Sequence, residues 1–254
     1  ALQQNMKEPL LRIQEVYKSF GPKKVHQGVS FDLHSGEILA LFGGSGTGKS
    51  VVLRSIIGLE KPDSGSIYFD GDDVTRLTEK ELIDVRRKIG YVFQNGALFD
   101  SMPVEENLAY PLIEHSKLPM REIRKKIAEM LDLIGLSGSE KTMPANLSGG
   151  MQKRVGAARA IILGPKIILY DEPTAGLDPF NTQRLLDLMR KIRSHAKEHA
   201  AIFVTHDIPS AFQVADRIAI LFKGKIHAID TTENIRNSKD PFVQAFINGS
   251  EIPW

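Results

Sequence analysis

The sequence predicts an α/β fold in which a largely parallel sheet is covered by helices on both faces and is preceded by a small antiparallel β-layer. Two observations lead to this prediction. Short apolar runs alternate with helical patterns along the chain, which is typical of buried parallel strands joined by helices. Before the first of these runs, apolar and polar residues alternate, as in antiparallel strands with one face in water.

The predicted parallel strands are short apolar runs, far below the roughly 20 residues that a membrane-spanning helix needs. They are Ile38–Phe42, Lys88–Phe93, Ile167–Tyr170, Ala201–Thr205 and Arg217–Phe222. The alternating segments that predict the antiparallel layer are Leu11–Val16 and Val29–Leu33.

Between Gly96 and about Val155 the strand pattern gives way to helical spacing, in Glu105–Leu112, in Met120–Ile134 and after Ser148. We interpret residues 96–155 as a helical subdomain inserted into the catalytic core of one domain at 6–230. A C-terminal tail follows at 231–254.

The tail carries two phenylalanines, Phe242 and Phe246, four positions apart after Pro241. This spacing predicts that both rings lie on one face of a short helix. That face would either dock on another protein chain or pack on the chain's own core. Trp254 permits no interpretation from the sequence.

The composition is that of an ordinary globular protein, with 42% hydrophobic and 25% charged residues. The net charge of +2, from 33 basic and 31 acidic residues, offers no large positive field, so nucleic acid is not expected as a partner. The chain has no cysteine, which excludes disulfides and thiolate metal sites. Its polar start, Ala1 to Asn5, lacks the pattern of a secretory signal.

A glycine-rich loop follows the strand Ile38–Phe42 and precedes a helical pattern. Glycines let backbone N–H groups turn towards phosphates, and the helix behind them offers its positive N-terminus. Lys49 would reach the terminal phosphates and the Ser50 hydroxyl would bind Mg²⁺. The alternative is a glycine-rich turn that carries a lysine by chance. The predicted nucleotide-binding segment comprises Gly43, Gly44, Ser45, Gly46, Thr47, Gly48, Lys49, Ser50 and Val51.

Two adjacent carboxylates, Asp171 and Glu172, follow the predicted strand Ile167–Tyr170. Neighbouring residues at a strand end point in different directions, so we expect different roles for them. Asp171 would hold Mg²⁺, usually through water, and Glu172 would orient and deprotonate an attacking water. The alternative is a pair of surface acids after a core strand.

A second candidate phosphate site begins at Ser148, where Ser148, Gly149 and Gly150 open a helical pattern. The N-terminus of a helix binds anions through its free N–H groups. A single ATP does not obviously need two such sites. We therefore predict a dimer of two copies, in which each ATP lies between the glycine-rich phosphate-binding loop of one chain, the P-loop at residues 43–50, and the Ser148 helix of the other. An ordinary capped helix is the alternative for this segment.

From about Leu11 to Ile229 the sequence resembles the ABC ATPase family, whose fold is a P-loop NTPase (RecA-like) core. The motifs occur in the family's order: the P-loop, Gln94, the LSGGMQ segment at Leu147–Gln152, the Asp171–Glu172 pair with Pro173, the D-loop at Ala175–Asp178, and His206. The resemblance implies an enzyme that hydrolyses ATP with Mg²⁺.

The resemblance also implies roles for three residues outside the P-loop. Phe20 would stack on adenine, Gln94 would contact Mg²⁺ and the lytic water and sense the permease, and His206 would contact the γ-phosphate. An aromatic face, an amide and an imidazole suit these roles. The implied catalytic residues are Glu172, His206, Gln94 and Lys49, and the implied metal ligands are Ser50, Gln94 and Asp171.

Other classes of ABC protein fit the sequence less well. DNA-repair and chromosome ATPases place a long coiled coil between the two motifs, whereas Gly48 and Ser148 stand about one hundred residues apart without sustained heptads. Translation-type proteins carry two cassettes, whereas this chain has one set of motifs. A regulatory cassette that binds ATP without hydrolysing it is disfavoured by Glu172.

The segment from Phe93 to Leu112 bears on the cargo. It is similar to the corresponding segment of ATPases in Mla-type and Mce-associated lipid transporters, and it lies where the family contacts the permease. The resemblance implies phospholipid transport at the cytoplasmic face of the inner membrane. The implied partners are an integral-membrane permease, an MCE-domain lipid-binding protein and a small STAS-domain protein. The alternative is the ATPase of an amino-acid or other small-solute importer.

Overall fold

The computed structural model describes residues 8–249, so Met6 and Trp254 lie outside the described residues. The strands of this part of the chain are β1 (Leu11–Phe20), β2 (Lys23–Leu33), β3 (Ile38–Phe42), β4 (Ser64–Phe69), β5 (Asp72–Asp73), β6 (Ile89–Val92), β7 (Ile167–Asp171), β8 (Ala200–Thr205), β9 (Arg217–Phe222) and β10 (Lys225–Thr231).

The α-helices within the same residues are α1 (Lys49–Ile56), α2 (Glu79–Arg87), α3 (Val104–His115), α4 (Met120–Leu133), α5 (Gly149–Ile161), α6 (Pro179–His195), α7 (Ile208–Val214), α8 (Thr232–Arg236) and α9 (Pro241–Ile247). The chain forms two compact units. One holds the residues up to Val85 together with those from His206 onward, and the other holds Arg86–Thr205.

The first unit contains the predicted antiparallel layer, in the order β2-β1-β4-β5. In the β1–β2 hairpin Leu11 pairs with Leu33 and Phe20 pairs with Lys23. Both strands are longer than predicted, because register shifts along the pair interrupt the alternation of buried and exposed residues beyond Val16. Strand β4, which pairs with β1 and holds Ile67 and Phe69 in the core, was not predicted from the sequence.

Parallel strands occur in both units. In the first unit β3 pairs in parallel with β9, and β10 adds antiparallel to β9. In the second unit β7 lies between β6 and β8, and both pairings are parallel. All residues of β3 and β8 are buried, because neither face of these strands meets water. The predicted α/β fold is confirmed, and the five predicted parallel strands match the observed bounds to within one residue at each end.

Residues 96–155 hold α3, α4 and the first half of α5, and no strand. The apolar residues Ile123, Ile127 and Leu131 repeat along α4 at helical spacing and are buried. The boundaries of the inserted subdomain, at about 96 and 155, remain our proposal. Among the described residues, no helix is long and apolar enough to cross a membrane.

The described part of the tail forms α8 and α9, and Pro241 occupies the first turn of α9 as predicted. The Phe242 and Phe246 rings stack at a centroid distance of 6.1 Å, so they share one face of the helix. Phe242 packs on Phe222 at 4.6 Å and Phe246 packs edge-on against Phe42 at 6.0 Å. These contacts favour packing on the chain's own core over docking on a partner.

Candidate functional site

The P-loop joins β3 to α1 in the first unit, and close contacts or positive φ angles favour glycine at three of its positions. A Cβ atom on Gly43 would lie 2.6 Å from Thr47 Oγ1 and 2.9 Å from the carbonyl oxygen of Leu221. Gly46 and Gly48 have φ angles of 72° and 95°, which side chains other than glycine rarely adopt. The loop therefore turns backbone groups inward without obstruction by side chains.

Lys49 begins α1 and is buried beneath the loop. Its Nζ donates hydrogen bonds of 2.9 Å to the carbonyl oxygens of Gly43 and Gly44. Ser50 and Val51 follow in the first turn of α1, at the positive end of the helix dipole. The first turn thus brings an ammonium, a hydroxyl and backbone N–H groups together, which is the set of groups that binds a polyphosphate.

A buried histidine that the sequence analysis missed supports the loop from below. His26 lies in β2 with 1% of its surface exposed, and its Nε2 is 2.9 Å from the Gly48 carbonyl oxygen. Because the carbonyl only accepts, Nε2 carries the proton and Nδ1 does not. Nδ1 is buried without a hydrogen-bond partner. Burial lowers the pKa of His26 below its ordinary value of 6.5, although the hydrogen bond to Gly48 opposes this shift.

We expect His26 to make the first unit sensitive to acid. Since its pKa is lowered by folding, the unfolded chain takes up a proton at a higher pH, and the stability is lost as pH falls through and below 6.5. Replacing His26 with leucine removes the group that takes up this proton on unfolding. Between about pH 8 and pH 5, unfolding by urea should show a larger loss of stability in the wild type than in His26→Leu. Parallel losses in the two chains would contradict this assignment.

Two more predicted residues, Phe20 and His206, belong to the first unit. Phe20 ends β1 with 43% of its surface exposed, and the Lys18 ammonium lies 5.0 Å from its ring centroid. The exposed ring offers a face on which a base could stack. His206 is exposed and directly follows β8 in sequence.

The carboxylate pair follows β7 in the second unit. Asp171 accepts a hydrogen bond of 2.8 Å from the Tyr91 hydroxyl through its Oδ2. Glu172 has a φ angle of 49°, which is unusual for a residue with a side chain and is a form of strain found at functional sites. Its N–H donates to the Val204 carbonyl oxygen at 3.0 Å. The two adjacent side chains are thus held by different contacts.

Gln94 and Ser148 also belong to the second unit. Gln94 is exposed in the turn after β6. Ser148 caps α5 by accepting a hydrogen bond of 3.3 Å from the Met151 N–H, and both Ser148 and Gly149 are exposed. A Cβ atom on Gly150 would lie 2.7 Å from Asn181 Oδ1, so the helix start packs closely against the start of α6. The exposed helix N-terminus suits an anion supplied from outside the unit.

Comparison with known protein families identifies the chain. The family described as ABC transporter matches residues 26–175, more than half of the chain. The chain belongs to the ABC transporter family. The matched region contains the P-loop, Gln94, the Ser148 segment and both carboxylates.

Several ABC transporter subunits are similar to the chain over most of its length. The probable ribonucleotide transport ATP-binding protein mkl of Mycobacterium leprae is 43% identical over 95% of this chain and 70% of its own length. The intermembrane phospholipid transport system ATP-binding protein MlaF of Haemophilus influenzae is 36% identical over 96% of this chain and 92% of its own length. The sulfate/thiosulfate import ATP-binding protein CysA of Mesorhizobium japonicum is 40% identical over 94% of this chain and 69% of its own.

Solved structures of ABC cassettes share the fold. The cbiO1 subunit of Clostridium perfringens matches with a TM-score of 0.84 and 27% identity, over 94% of this chain and 95% of that one. The cassette MJ0796, solved as a dimer in a post-hydrolysis state with ADP and Pi, matches with a TM-score of 0.79 and 33% identity, over 87% of this chain and 98% of that one. The chain is an ATP-binding, ATP-hydrolysing subunit of an ABC transporter, a class of cassette that dimerises and pairs with membrane permeases.

The predicted site residues occur in both units. The first unit holds the P-loop, Phe20 and His206, and the second holds Gln94, the carboxylate pair and the Ser148 segment. His26 and Tyr91 are two supporting residues that the motifs do not reveal. The parallel pairing of β6 with β7 places Tyr91 beside Leu169, and this lets the Tyr91 hydroxyl reach the Asp171 carboxylate two residues further along β7.

Proposed function

We propose that the chain drives phospholipid transport between bacterial membranes, at the cytoplasmic face of the inner membrane. The observation that carries this proposal is the segment Phe93–Leu112, which is similar to the same segment in ATPases of lipid transporters. In this family the segment contacts the permease. A likeness at that place bears on the transported substrate more directly than a likeness in the ATP site.

The proposed ATP site uses the residues of both units. We assign adenine stacking to Phe20, phosphate binding to the P-loop from Gly43 to Val51, and γ-phosphate contact to His206. Mg²⁺ would be held by Ser50, Gln94 and Asp171. A hydroxyl, an amide oxygen and a carboxylate are hard oxygen ligands of the kind that Mg²⁺ prefers, with phosphate and water completing its shell. Mg²⁺ would neutralise charge on the phosphates as the γ-phosphate leaves.

Hydrolysis itself is assigned to Glu172, which would accept a proton from the attacking water while Gln94 orients that water. Lys49 would stabilise the charge on the leaving phosphates. The exposed N-terminus of α5, with Ser148, Gly149 and Gly150, would close the site from a second copy of the chain. The dimeric state of the similar cassette MJ0796 supports this arrangement.

An apolar patch in the second unit supports docking of the permease. Phe93, Phe99, Tyr110 and Ile113 are each at least 40% exposed, and exposed apolar side chains that lie together mark interaction sites. The Phe99 and Tyr110 rings contact edge-on at 5.2 Å. This patch falls in and beside the segment Phe93–Leu112.

The patch is held in place by Asn107, which is fully buried. Its Oδ1 accepts from the Phe99 N–H at 2.8 Å, and its Nδ2 donates to the carbonyl oxygens of Phe99 at 3.1 Å and Met102 at 2.9 Å. Arg159 adds a hydrogen bond of 2.7 Å to the Ala97 carbonyl oxygen. A rigid apolar surface of this kind suits a helix of a membrane protein as its partner.

The names of the relatives point to more than one cargo. MlaF is named for intermembrane phospholipid transport, and a 39% identical chloroplast protein of Arabidopsis thaliana is named TRIGALACTOSYLDIACYLGLYCEROL 3. The names of mkl and CysA refer to ribonucleotides and to sulfate or thiosulfate. We favour lipid because of the Phe93–Leu112 segment. The proposed partners are then the permease, an MCE-domain lipid-binding protein and a STAS-domain protein.

The cargo is tested with the chain purified together with its permease and placed in donor vesicles. We expect ATP to drive movement of a fluorescent phospholipid between donor and acceptor vesicles, and Glu172→Gln in the same complex to abolish that movement. Parallel assays offer sulfate and a ribonucleotide. ATP hydrolysis that is stimulated by one of these solutes, without lipid movement, would refute the lipid proposal and leave the ATPase assignment intact.

A further inference from the structure

A buried lysine on α5 is not part of the ATP site described above. Lys153 lies in the second turn of the helix that begins at Ser148, and 8% of its surface is exposed. Burying an ammonium group is costly unless it is fully hydrogen-bonded. Burial also lowers its pKa below the ordinary value of lysine. A leucine or methionine would fill the same space in α5 without the free-energy cost of burying a charge. The role of Lys153 is therefore inferred from the groups that its ammonium contacts.

The partners of Lys153 are two carbonyl groups directly after Glu172. Lys153 Nζ donates to the Pro173 carbonyl oxygen at 3.0 Å and also to the Ala175 carbonyl oxygen. Hydrogen bonds from a charged donor are about twice as strong as those between neutral groups. The Ala175 N–H in turn donates to the Glu172 carbonyl oxygen at 3.1 Å. Lys153 therefore anchors the turn that carries Glu172.

That turn needs an anchor because its backbone is strained. Glu172 has a φ angle of 49°, a conformation that persists only when the surroundings enforce it. On one side, the Glu172 N–H is held by the Val204 carbonyl oxygen. After Glu172, the carbonyl groups of Pro173 and Ala175 are held by hydrogen bonds from Lys153.

A second contact joins α5 to the same stretch of chain. Gly150 packs against Asn181 so closely that a Cβ atom would lie 2.7 Å from Asn181 Oδ1. The Asn181 N–H donates to Asp178 Oδ1 at 3.0 Å, which ends the stretch that starts at Glu172. The first two turns of α5 thus contact this part of the chain at two places: Lys153 contacts Pro173 and Ala175, and Gly150 contacts Asn181.

We propose that Lys153 is a positioning residue that couples the two ATP sites of a dimer, by fastening the anion-binding helix of one site to the catalytic glutamate of the other. The inference rests on the proposed dimer, in which Ser148 of a chain serves the ATP of its partner and Glu172 of that chain acts on its own ATP. When phosphate binding displaces α5, the hydrogen bonds of the Lys153 ammonium pass the displacement to the turn that carries Glu172. Lys153 and its partner Pro173 are about twenty residues apart in sequence but in direct contact.

The test compares steady-state ATP hydrolysis by the full-length wild type, Lys153→Met, Lys153→Gln and Lys153→Arg. Misplacement of a catalytic group by about 1 Å costs up to about 100-fold in rate, so we expect kcat to fall between about 10- and 100-fold in Lys153→Met, with KM for ATP changed less than about twofold. The Hill coefficient for ATP should fall towards 1. Lys153→Arg, which keeps a charged donor, should recover part of both losses.

Two controls separate positioning from folding. Lys197→Met removes a lysine that is exposed in the turn after α6, and it should behave as the wild type. Thermal unfolding of each chain shows whether the variants fold, and Lys153→Gln, which still donates to one carbonyl, carries the test if Lys153→Met does not. A folded Lys153→Met chain with wild-type kcat and Hill coefficient overturns the proposal. If only Lys153→Gln folds, the loss of one of the two hydrogen bonds should still lower kcat and the Hill coefficient, and wild-type values of both overturn the proposal.

Light scattering in the presence of ATP distinguishes a failure of the coupling proposal from a failure of the proposed dimer. If the wild-type chain dimerises with ATP and the Lys153 variants hydrolyse it normally, the dimer stands and the coupling proposal is wrong. If ATP does not bring the wild-type chains together, the proposed dimer is wrong and the coupling proposal is wrong with it. A selective loss of kcat and cooperativity in chains that still dimerise supports the proposal.

Discussion

Replacing Glu172 with glutamine is expected to lower the rate of ATP hydrolysis by about 100-fold or more, the usual contribution of a general base, while ATP still binds. Glutamine has the shape of glutamate, but its amide cannot accept the proton of the attacking water. The ATP-binding groups of the P-loop lie elsewhere in the sequence and are unchanged. Phosphate release measures hydrolysis, and the fluorescence of a labelled ATP analogue measures binding.

The matched control for this variant is Glu129→Gln. Glu129 is exposed on α4 and its carboxylate lies 4.0 Å from the Lys125 ammonium. A surface ion pair of this kind contributes little to stability, so Glu129→Gln should hydrolyse ATP at the wild-type rate. Residual activity in Glu172→Gln within about tenfold of the wild type would show that another group acts as the base.

Replacing Gly48 with alanine is expected to abolish ATP binding and to destabilise the first unit by about 2–5 kcal/mol, the sum of a left-handed backbone and an overpacked site. The added Cβ atom would lie 2.4 Å from Val25 Cγ1 and 2.8 Å from His26 Nε2. Gly48 also has a φ of 95° and caps α1. Both effects displace Lys49 and the first turn of α1. Urea unfolding and binding of labelled ATP measure the two losses.

Gly44→Ala is the control for the Gly48 variant. Gly44 has no positive φ, and the nearest atom to an added Cβ would be Thr47 Cγ2 at 3.7 Å, an ordinary contact. The change in unfolding free energy should therefore stay within about 1 kcal/mol, as for most surface substitutions. Equal destabilisation of the two variants would show that the close contacts of Gly48 do not govern the loop.

The P-loop and the strand before it were predictable because the residues that determine them are consecutive in the sequence. The glycines, the lysine and the serine of the loop stand close together in the sequence, and five consecutive buried residues mark β3. The carboxylates after β7 and the helix start at Ser148 follow from the same kind of local signal. The ends of β1 and β2 were not predictable, since register shifts remove the alternation that marks them.

The supporting residues of the site were not predictable because their partners are distant in sequence. His26 contacts Gly48, Tyr91 contacts Asp171, and Lys153 contacts Pro173. Each contact depends on which strands and helices become neighbours, and no motif records that. The positive φ of Glu172 has no local signal either, since glutamate rarely adopts it.

The central claim is that ATP joins two copies of this chain, each supplying a P-loop to one ATP and the Ser148 helix to the other. It is tested most directly by light scattering of full-length Glu172→Gln, which should retain ATP. With ATP and Mg²⁺ we expect a mass twice the 28.2 kDa of one chain, and the mass of one chain when Ser148→Arg is added. A single-chain mass at saturating ATP, or a dimer that Ser148→Arg leaves intact, would contradict it.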